Sequence, residues 1–218
     1  MNYVISDIHN HNTALLQLLE KVKFNPAEDK LYMLGDLFDR GTEAIEIWNT
    51  YKELKKQGCV VGFIGNHDYW LAGSLKKFLE NGIGNSYYET ADIFKLYLDK
   101  NEIENVISEI NGWEKQLEIK VGNTNYLLAH ARTCDPKNIT NTDFCYFSGA
   151  YVDDFDEYIV NGIDGYVSIV GHTPYIGYGK VVVNEKKNVY VIDAGIGIGT
   201  NNLACFCLDT KEIIDLTD

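Results

Sequence analysis

LYMLGDLFDRGTEAIEIWNTYKELKKQ, residues 31–57, holds three kinds of sequence in a row. LYML (31–34) is a short apolar run that reads as a strand, and TEAIEIWNTYKELKKQ (42–57) reads as a helix. Between them GDLFDRG (35–41) places Asp36 and Asp39 three positions apart, fences them with glycines and follows the second with Arg40. Asp before a helical run is a common N-cap, so the bend alone could be a cap with a surface ion pair. What surrounds it decides between a cap and a site.

The same alternation extends to both sides. YVIS (3–6) reads as a strand, TALLQLLEKV (13–22) as an amphipathic helix and VVGFI (60–64) as a third strand. Strands alternating with helices of this length imply crossover connections and a parallel sheet. Segment 69–112 reads as mainly helical, with Ile103, Val106, Ile107 and Ile110 at helical spacing. Strands follow: LEIKV, the turn GNTN, then YLLAH. After a loop and a helix near 151–161 come YVSIV, KVVVNEKKNVYVI and LACFCL. The expected fold is α/β, two mixed β-sheets packed face to face and flanked by helices, with a helical insertion at about 69–112. Three prolines give no Pro-rich linker, and the chain reads as one domain over 1–218.

Composition narrows the function. A chain of 218 residues with 45% hydrophobic content can bury a full core. A formal charge of −13 and a pI near 4.7 oppose binding of nucleic acid, whose partners usually carry a basic face. No apolar run approaches the roughly 18 residues needed to span a bilayer, and MNYVISDIHN lacks the build of a signal peptide, so a cytoplasmic protein without membrane partners is expected. Cys59, Cys134, Cys145, Cys205 and Cys207 show no C-x-x-C spacing and read as free thiols, the last two packed on one face of a strand.

Four of the five histidines end or follow a predicted strand: His9 in SDIHN, His67 in GNHD, His130 in LAHA and His172 in GHTP. Asp7, Asp36 and Asn66 occupy equivalent places. Such a ring at a sheet edge, where open α/β sheets bind ligands, reads as a metal site. Imidazole with carboxylate suits Mn, Fe or Zn, and the ligands outnumber the needs of one ion. Two ions about 3.5–4 Å apart, sharing one carboxylate, would use them all.

The ordered set D-x-H (Asp7, His9), G-D-x-x-D-R-G (Gly35–Gly41), G-N-H-D (Gly65–Asp68), LAH (His130) and GHTP (His172) resembles the calcineurin-like metallophosphoesterases, and within them the phosphoprotein phosphatase branch. The resemblance runs from Asp7 to about Gly195. It implies one metal on Asp7, His9 and Asp36 and a second on Asp36, Asn66, His130 and His172, with Asp36 bridging. Asp39 would then orient His67 as general acid, and Arg40 would clamp the phosphoryl oxygens. Bridging hydroxide would attack phosphorus in line, without a phosphoenzyme.

Departures from the pattern occur. Asn10 stands where the family usually has Gly, which Asn can tolerate through its access to left-handed backbone. Arg132 is the nearest candidate for a second phosphate-binding arginine. His11 matches no ligand position and reads as a helix-start residue, and Asp193 reads as a turn residue beside the site. Tyr175 could line the pocket, and Trp70, Tyr87, Tyr88 and Trp113 could wall the substrate groove or belong to the core. Related diadenosine tetraphosphate hydrolases commonly lack the second aspartate of GDLFDRG. Asp39 therefore favours a phosphomonoester hydrolase acting on phosphoserine or phosphothreonine in proteins. The alternatives are a symmetrical dinucleoside polyphosphate hydrolase, a small-molecule phosphoesterase on the same metals, and a catalytically dead binding module.

Overall fold

The computed structural model describes residues 1–82, 89–137, 162–174 and 178–217. The expected helix near 151–161, Cys145, Tyr87, Tyr88 and Tyr175 lie outside the described residues. Strands β1 (Asn2–Ile5), β2 (Lys30–Met33) and β3 (Val60–Gly62) pair in parallel, in the order of the chain. Helices α1 (Asn12–Lys21) and α2 (Ala44–Lys56) make the crossovers between them. This is the arrangement read from the alternation of strands and helices.

The second sheet is built from β4 (Gln116–Val121), β5 (Thr124–Ala129), β6 (Val167–Val170), β7 (Val182–Asn184) and β8 (Val189–Val191), in the order β4-β5-β6-β8-β7. Its centre is parallel and its edges are hairpins. The chain then returns to the first sheet: β9 (Ala204–Cys207) lies antiparallel to β1, pairing Tyr3 with Cys207, and β10 (Ile213–Asp215) pairs with β9. The first sheet is therefore mixed, in the order β10-β9-β1-β2-β3.

Period-two alternation sends each strand's residues into different layers. Val4, Tyr32 and Phe206 meet Tyr126, Leu128 and Ile169 between the sheets. Tyr3, Ile5, Leu31, Met33, Cys205 and Cys207 face the helices. Both cysteines thus take the packing role expected of them, and Cys59, Cys134, Cys205 and Cys207 are free thiols.

The described residues of segment 69–112 are mainly helical, in the later part of α3 (Asn66–Asn81), α4 (Thr90–Tyr97) and α5 (Lys100–Asn111). Asp99 caps α5, its carboxylate accepting the Glu102 N–H at 2.9 Å, a contribution of about 1 kcal/mol. Ile103, Val106 and Ile110 then bury one face of α5, each stabilising by roughly 1.5–3 kcal/mol. Trp113, a candidate for the groove wall, is instead core: it is buried, stacks on Phe38 at 6.3 Å and donates its indole N–H to Tyr51 Oη at 2.7 Å. An indole enclosed on this scale has no face left for a ligand. Among the described residues, no helix is long and apolar enough to cross a membrane.

Candidate metal and phosphoester site

Every candidate ligand lies just past the C-terminal end of a strand, and both sheets contribute. Asp7 and His9 follow β1, Asp36 follows β2, Asn66 and His67 open α3 after β3, His130 follows β5 and His172 follows β6. The site is thus a seam between two sheet ends rather than the edge of one. Leu37 and Phe38, the apolar pair between the two aspartates, are fully buried and anchor the bend in the core beneath. Asp7, His9, Asn10, Asp36, Asp39, Arg40 and His172 all take positive φ, between 49° and 71°. That left-handed backbone turns their side chains back toward one point, and Asn10 adopts it as its side chain allows.

Space is as constrained as direction. A Cβ on Gly65 would sit 2.2 Å from Asp36 Oδ1, and one on Gly171 would sit 2.2 Å from Asp7 Oδ2. Neither position has room for a side chain.

Asp36 lies at the centre. Its Oδ1 accepts the His67 backbone N–H at 2.9 Å and stands 3.5 Å from His130 Nε2, while its Oδ2 stands 3.7 Å from His9 Nε2. On one side, His9 Nε2 lies 4.0 Å from Asp7 Oδ1. On the other, His130 Nε2 lies 3.2 Å from both Asn66 Oδ1 and His172 Nδ1. The tautomers follow from the opposite ring nitrogens: His9 Nδ1 donates to the Phe38 carbonyl at 2.9 Å and His130 Nδ1 to the Leu34 carbonyl at 2.8 Å. Both Nε2 atoms therefore carry lone pairs, held toward oxygens that also carry lone pairs.

Electrostatics points the same way. Burial pushes His9 well below the ordinary imidazole range, lowers His130, and brings His172 down to about 3 with help from the neighbouring His130. The rings are neutral, as metal ligands must be. Burial, then the charges of Asp7 and Asp68, raises Asp36 well above the carboxylate range. Neutral imidazoles facing crowded carboxylates, and an amide oxygen facing an imidazole lone pair, form a donor set that divalent cations would satisfy. Two groups that share Asp36 could each hold a cation, His9, Asp36 and His67 on one side and Asp36, His130 and His172 on the other.

His67 lies close enough to His9 and Asp36 to be counted as a ligand, its Nε2 3.9 Å from Asp36 Oδ2. Its hydrogen bonds engage it elsewhere. Nδ1 faces Asp39 Oδ2 at 3.2 Å and Nε2 faces Arg40 Nη2 at 3.2 Å. A guanidinium cannot accept, so Nε2 accepts and Nδ1 donates to Asp39. The three residues form one chain: carboxylate, imidazole, guanidinium.

Three supporting residues went unassigned in the sequence reading. Asp68 is fully buried, and its carboxylate accepts the backbone N–H groups of Asp36 (2.7 Å), Leu37 (3.0 Å), Phe38 (3.3 Å) and Gly65 (3.0 Å). It pins GDLFDRG to GNHD. Asp68→Ala would strand these donors and is expected to destabilise the protein by about 3–5 kcal/mol in urea unfolding. A loss under about 1 kcal/mol would show that water or relaxation replaces the carboxylate. Thr90, from the insertion, accepts from Asn10 Nδ2 at 2.8 Å and from the Asp39 N–H at 3.1 Å, tying α4 to the bend. Gly197 passes so near His9 that a Cβ there would lie 2.2 Å from its ring.

The remaining candidates fall around this centre. Asp193 Oδ1 accepts the Gly195 N–H at 2.9 Å, and burial with the nearby Asp7 charge raises its carboxyl well above the carboxylate range. His11 is the N-cap residue of α1 and its Nδ1 donates to the Ile8 carbonyl at 3.1 Å. Arg132 lies two residues past His130 and is partly buried. Trp70 is 48% exposed, its ring packed on His67 with centroids 5.3 Å apart.

Residues 3–190 match the family described as calcineurin-like phosphoesterase. A symmetrical bis(5'-nucleosyl)-tetraphosphatase from Marinomonas sp. (strain MWYL1) is 44% identical over 69 residues, 32% of this chain and 24% of its own. Its counterpart from Actinobacillus pleuropneumoniae serotype 3 (strain JL03) is 29% identical over 148 residues, 66% of this chain and 49% of its own. The chain thus matches at most about half the length of these curated relatives. Among solved structures, one provisionally assigned as a diadenosine tetraphosphatase superposes with a TM-score of 0.74 at 17% identity, over 99% of this chain and 92% of that one. A protein serine/threonine phosphatase from Saccharomyces cerevisiae gives 0.58 at 15% identity, over 98% and 78%. At these identities the structures speak for the fold.

Proposed function

Because the chain belongs to the calcineurin-like phosphoesterase family, we propose that it is a two-metal phosphoester hydrolase whose substrate is a dinucleoside polyphosphate. The observation that carries the hydrolase reading is the donor set astride Asp36, with the Asp39, His67 and Arg40 chain beside it. The relatives named as symmetrical bis(5'-nucleosyl)-tetraphosphatases favour the substrate class over the protein-phosphatase reading that Asp39 suggested.

Asp7, His9 and Asp36 would hold one cation, and Asp36, Asn66, His130 and His172 the other. Such a pair supplies, when bound, a nucleophile at neutral pH and neutralises charge on the phosphoryl group. The residues of the chain do the rest. Arg40 presents two donors to phosphoryl oxygens, and in turning to them it releases His67 Nε2 to hold a proton. Asp39 keeps that ring oriented. Arg132 is a second candidate for the phosphate. Water adds across one P–O bond, and a dinucleoside tetraphosphate cut symmetrically yields two nucleoside diphosphates. A binding module without activity would lack one of these groups, and all are present.

The second reading, hydrolysis of phosphoserine or phosphothreonine, is favoured by one observation: the buried Asp39–His67 pair at 3.2 Å suits an acid that protonates a poor leaving group. Mn-supported hydrolysis of diadenosine tetraphosphate, a phosphoserine peptide and a phosphotyrosine peptide, side by side, separates the two. The dinucleotide is expected to lead in kcat/KM by at least about tenfold, some 1.4 kcal/mol of transition-state binding. A faster phosphoserine peptide would reverse the assignment and leave the metal site as described.

A further inference from the structure

Of the three tryptophans, Trp48 and Trp113 are buried in the core, while Trp70 is 48% exposed. An indole half in water is a poor use of the largest apolar side chain unless its open face has a purpose. Its other face is committed: it packs on His67, with ring centroids 5.3 Å apart and planes at 54°. The open face therefore begins where the His67–Arg40 pair ends.

The helix carrying Trp70 extends this surface. Positions three and seven further along α3 share its face, and these are Gly73 and Lys77. Gly73 is exposed, and among the described residues a Cβ there would meet nothing within 4 Å. Lys77 is exposed one turn further on, in a chain whose net charge is −13. An exposed aromatic ring thus stands beside the reacting centre, on a helix face with open space at Gly73 and a cation at Lys77.

We propose that Trp70 is the platform on which a nucleobase of the substrate stacks, its sugar leading back to the phosphates at Arg40. The proposal rests on the dinucleoside polyphosphate reading and gives it a specificity-determining residue. Stacking tolerates any base, because every base offers a π-face, whereas the phosphates are read by Arg40 and the metals. Trp70 touches substrate away from the bond that breaks, so its loss should weaken binding of the base and spare binding of phosphate.

The test compares ADP with inorganic diphosphate on the Mn-loaded protein, by equilibrium titration of tryptophan fluorescence for the wild type and Trp70→Phe and by calorimetry for all variants. The wild type is expected to bind ADP about 10-fold more tightly than diphosphate, with quenching of the exposed indole, since a stacked base gives an advantage of this order. Trp70→Ala should abolish that margin, moving diphosphate affinity less than about twofold, and Trp70→Phe should restore most of it. A margin absent from the wild type, or retained in Trp70→Ala, overturns the proposal. Equal weakening of both ligands in Trp70→Ala also overturns it, because the indole would then act only by supporting His67. The outcomes separate from those for the reading beneath: fast dinucleotide cleavage without the margin sinks the platform alone, and the margin without cleavage sinks the hydrolase substrate alone.

Discussion

Asp36→Asn is expected to lose at least about 10³-fold in kcat/KM and to bind fewer than two equivalents of metal. The side chain keeps its shape, and one oxygen can still accept the His67 N–H that Asp36 Oδ1 accepts at 2.9 Å. What disappears is the charge and the second oxygen. In the wild type the two oxygens face opposite ways, 3.5 Å from His130 Nε2 and 3.7 Å from His9 Nε2. An amide N–H₂ in place of either oxygen points a donor where a cation is to be held. The fold should not suffer, because the substitution removes a buried carboxylate crowded by Asp7 and Asp68. Melting in excess chelator is therefore expected at the wild-type temperature or above it. Metal analysis by mass spectrometry checks the first half, and two retained equivalents with activity within about tenfold of wild type would deny Asp36 the bridging role.

The second large effect depends on the substrate. His67→Asn keeps a donor toward Asp39 but removes the proton that Nε2 could deliver. A serine alkoxide is a strongly basic leaving group, so hydrolysis of a phosphoserine peptide should fall about 10²–10⁴-fold, the usual contribution of general acid catalysis. A nucleoside diphosphate leaves through a phosphate oxygen whose proton dissociates at about pH 6, and needs no such help near neutrality. Cleavage of diadenosine tetraphosphate should therefore fall within about tenfold. Equal large losses on both substrates would show that His67 acts by positioning Arg40, 3.2 Å away, rather than by giving a proton.

Much of this was legible in the residues. The crossovers β1-α1-β2-α2-β3 announce themselves because apolar strands and amphipathic helices alternate over short distances. The converging side chains were visible because polar residues of the right type recur just past predicted strands. The strand order was not legible. Nothing local tells β9 to return across the molecule and lie beside β1, and β10, three residues among polar neighbours, carries too little pattern to be read. Asp68 was missed for a related reason: it binds backbone, and the N–H groups it collects come from a loop 30 to 32 positions earlier. Thr90 serves Asn10 from 80 positions away and leaves no trace in spacing. The substrate class lies beyond the motif, since the same residue set serves several phosphoesters.

The seven left-handed residues around the site set a limit on the molecule's durability. Each non-glycine residue in that conformation costs on the order of 1 kcal/mol, somewhat less for Asp and Asn. Together they rival the net stability of an ordinary domain, about 5–15 kcal/mol. Glycine would relieve the strain at every one of these positions, and it would delete a carboxylate, an imidazole, an amide or the guanidinium each time. Heat tolerance and turnover thus compete for the same few positions, and selection for endurance alone would drive this chain toward an inert, better-rested version of itself.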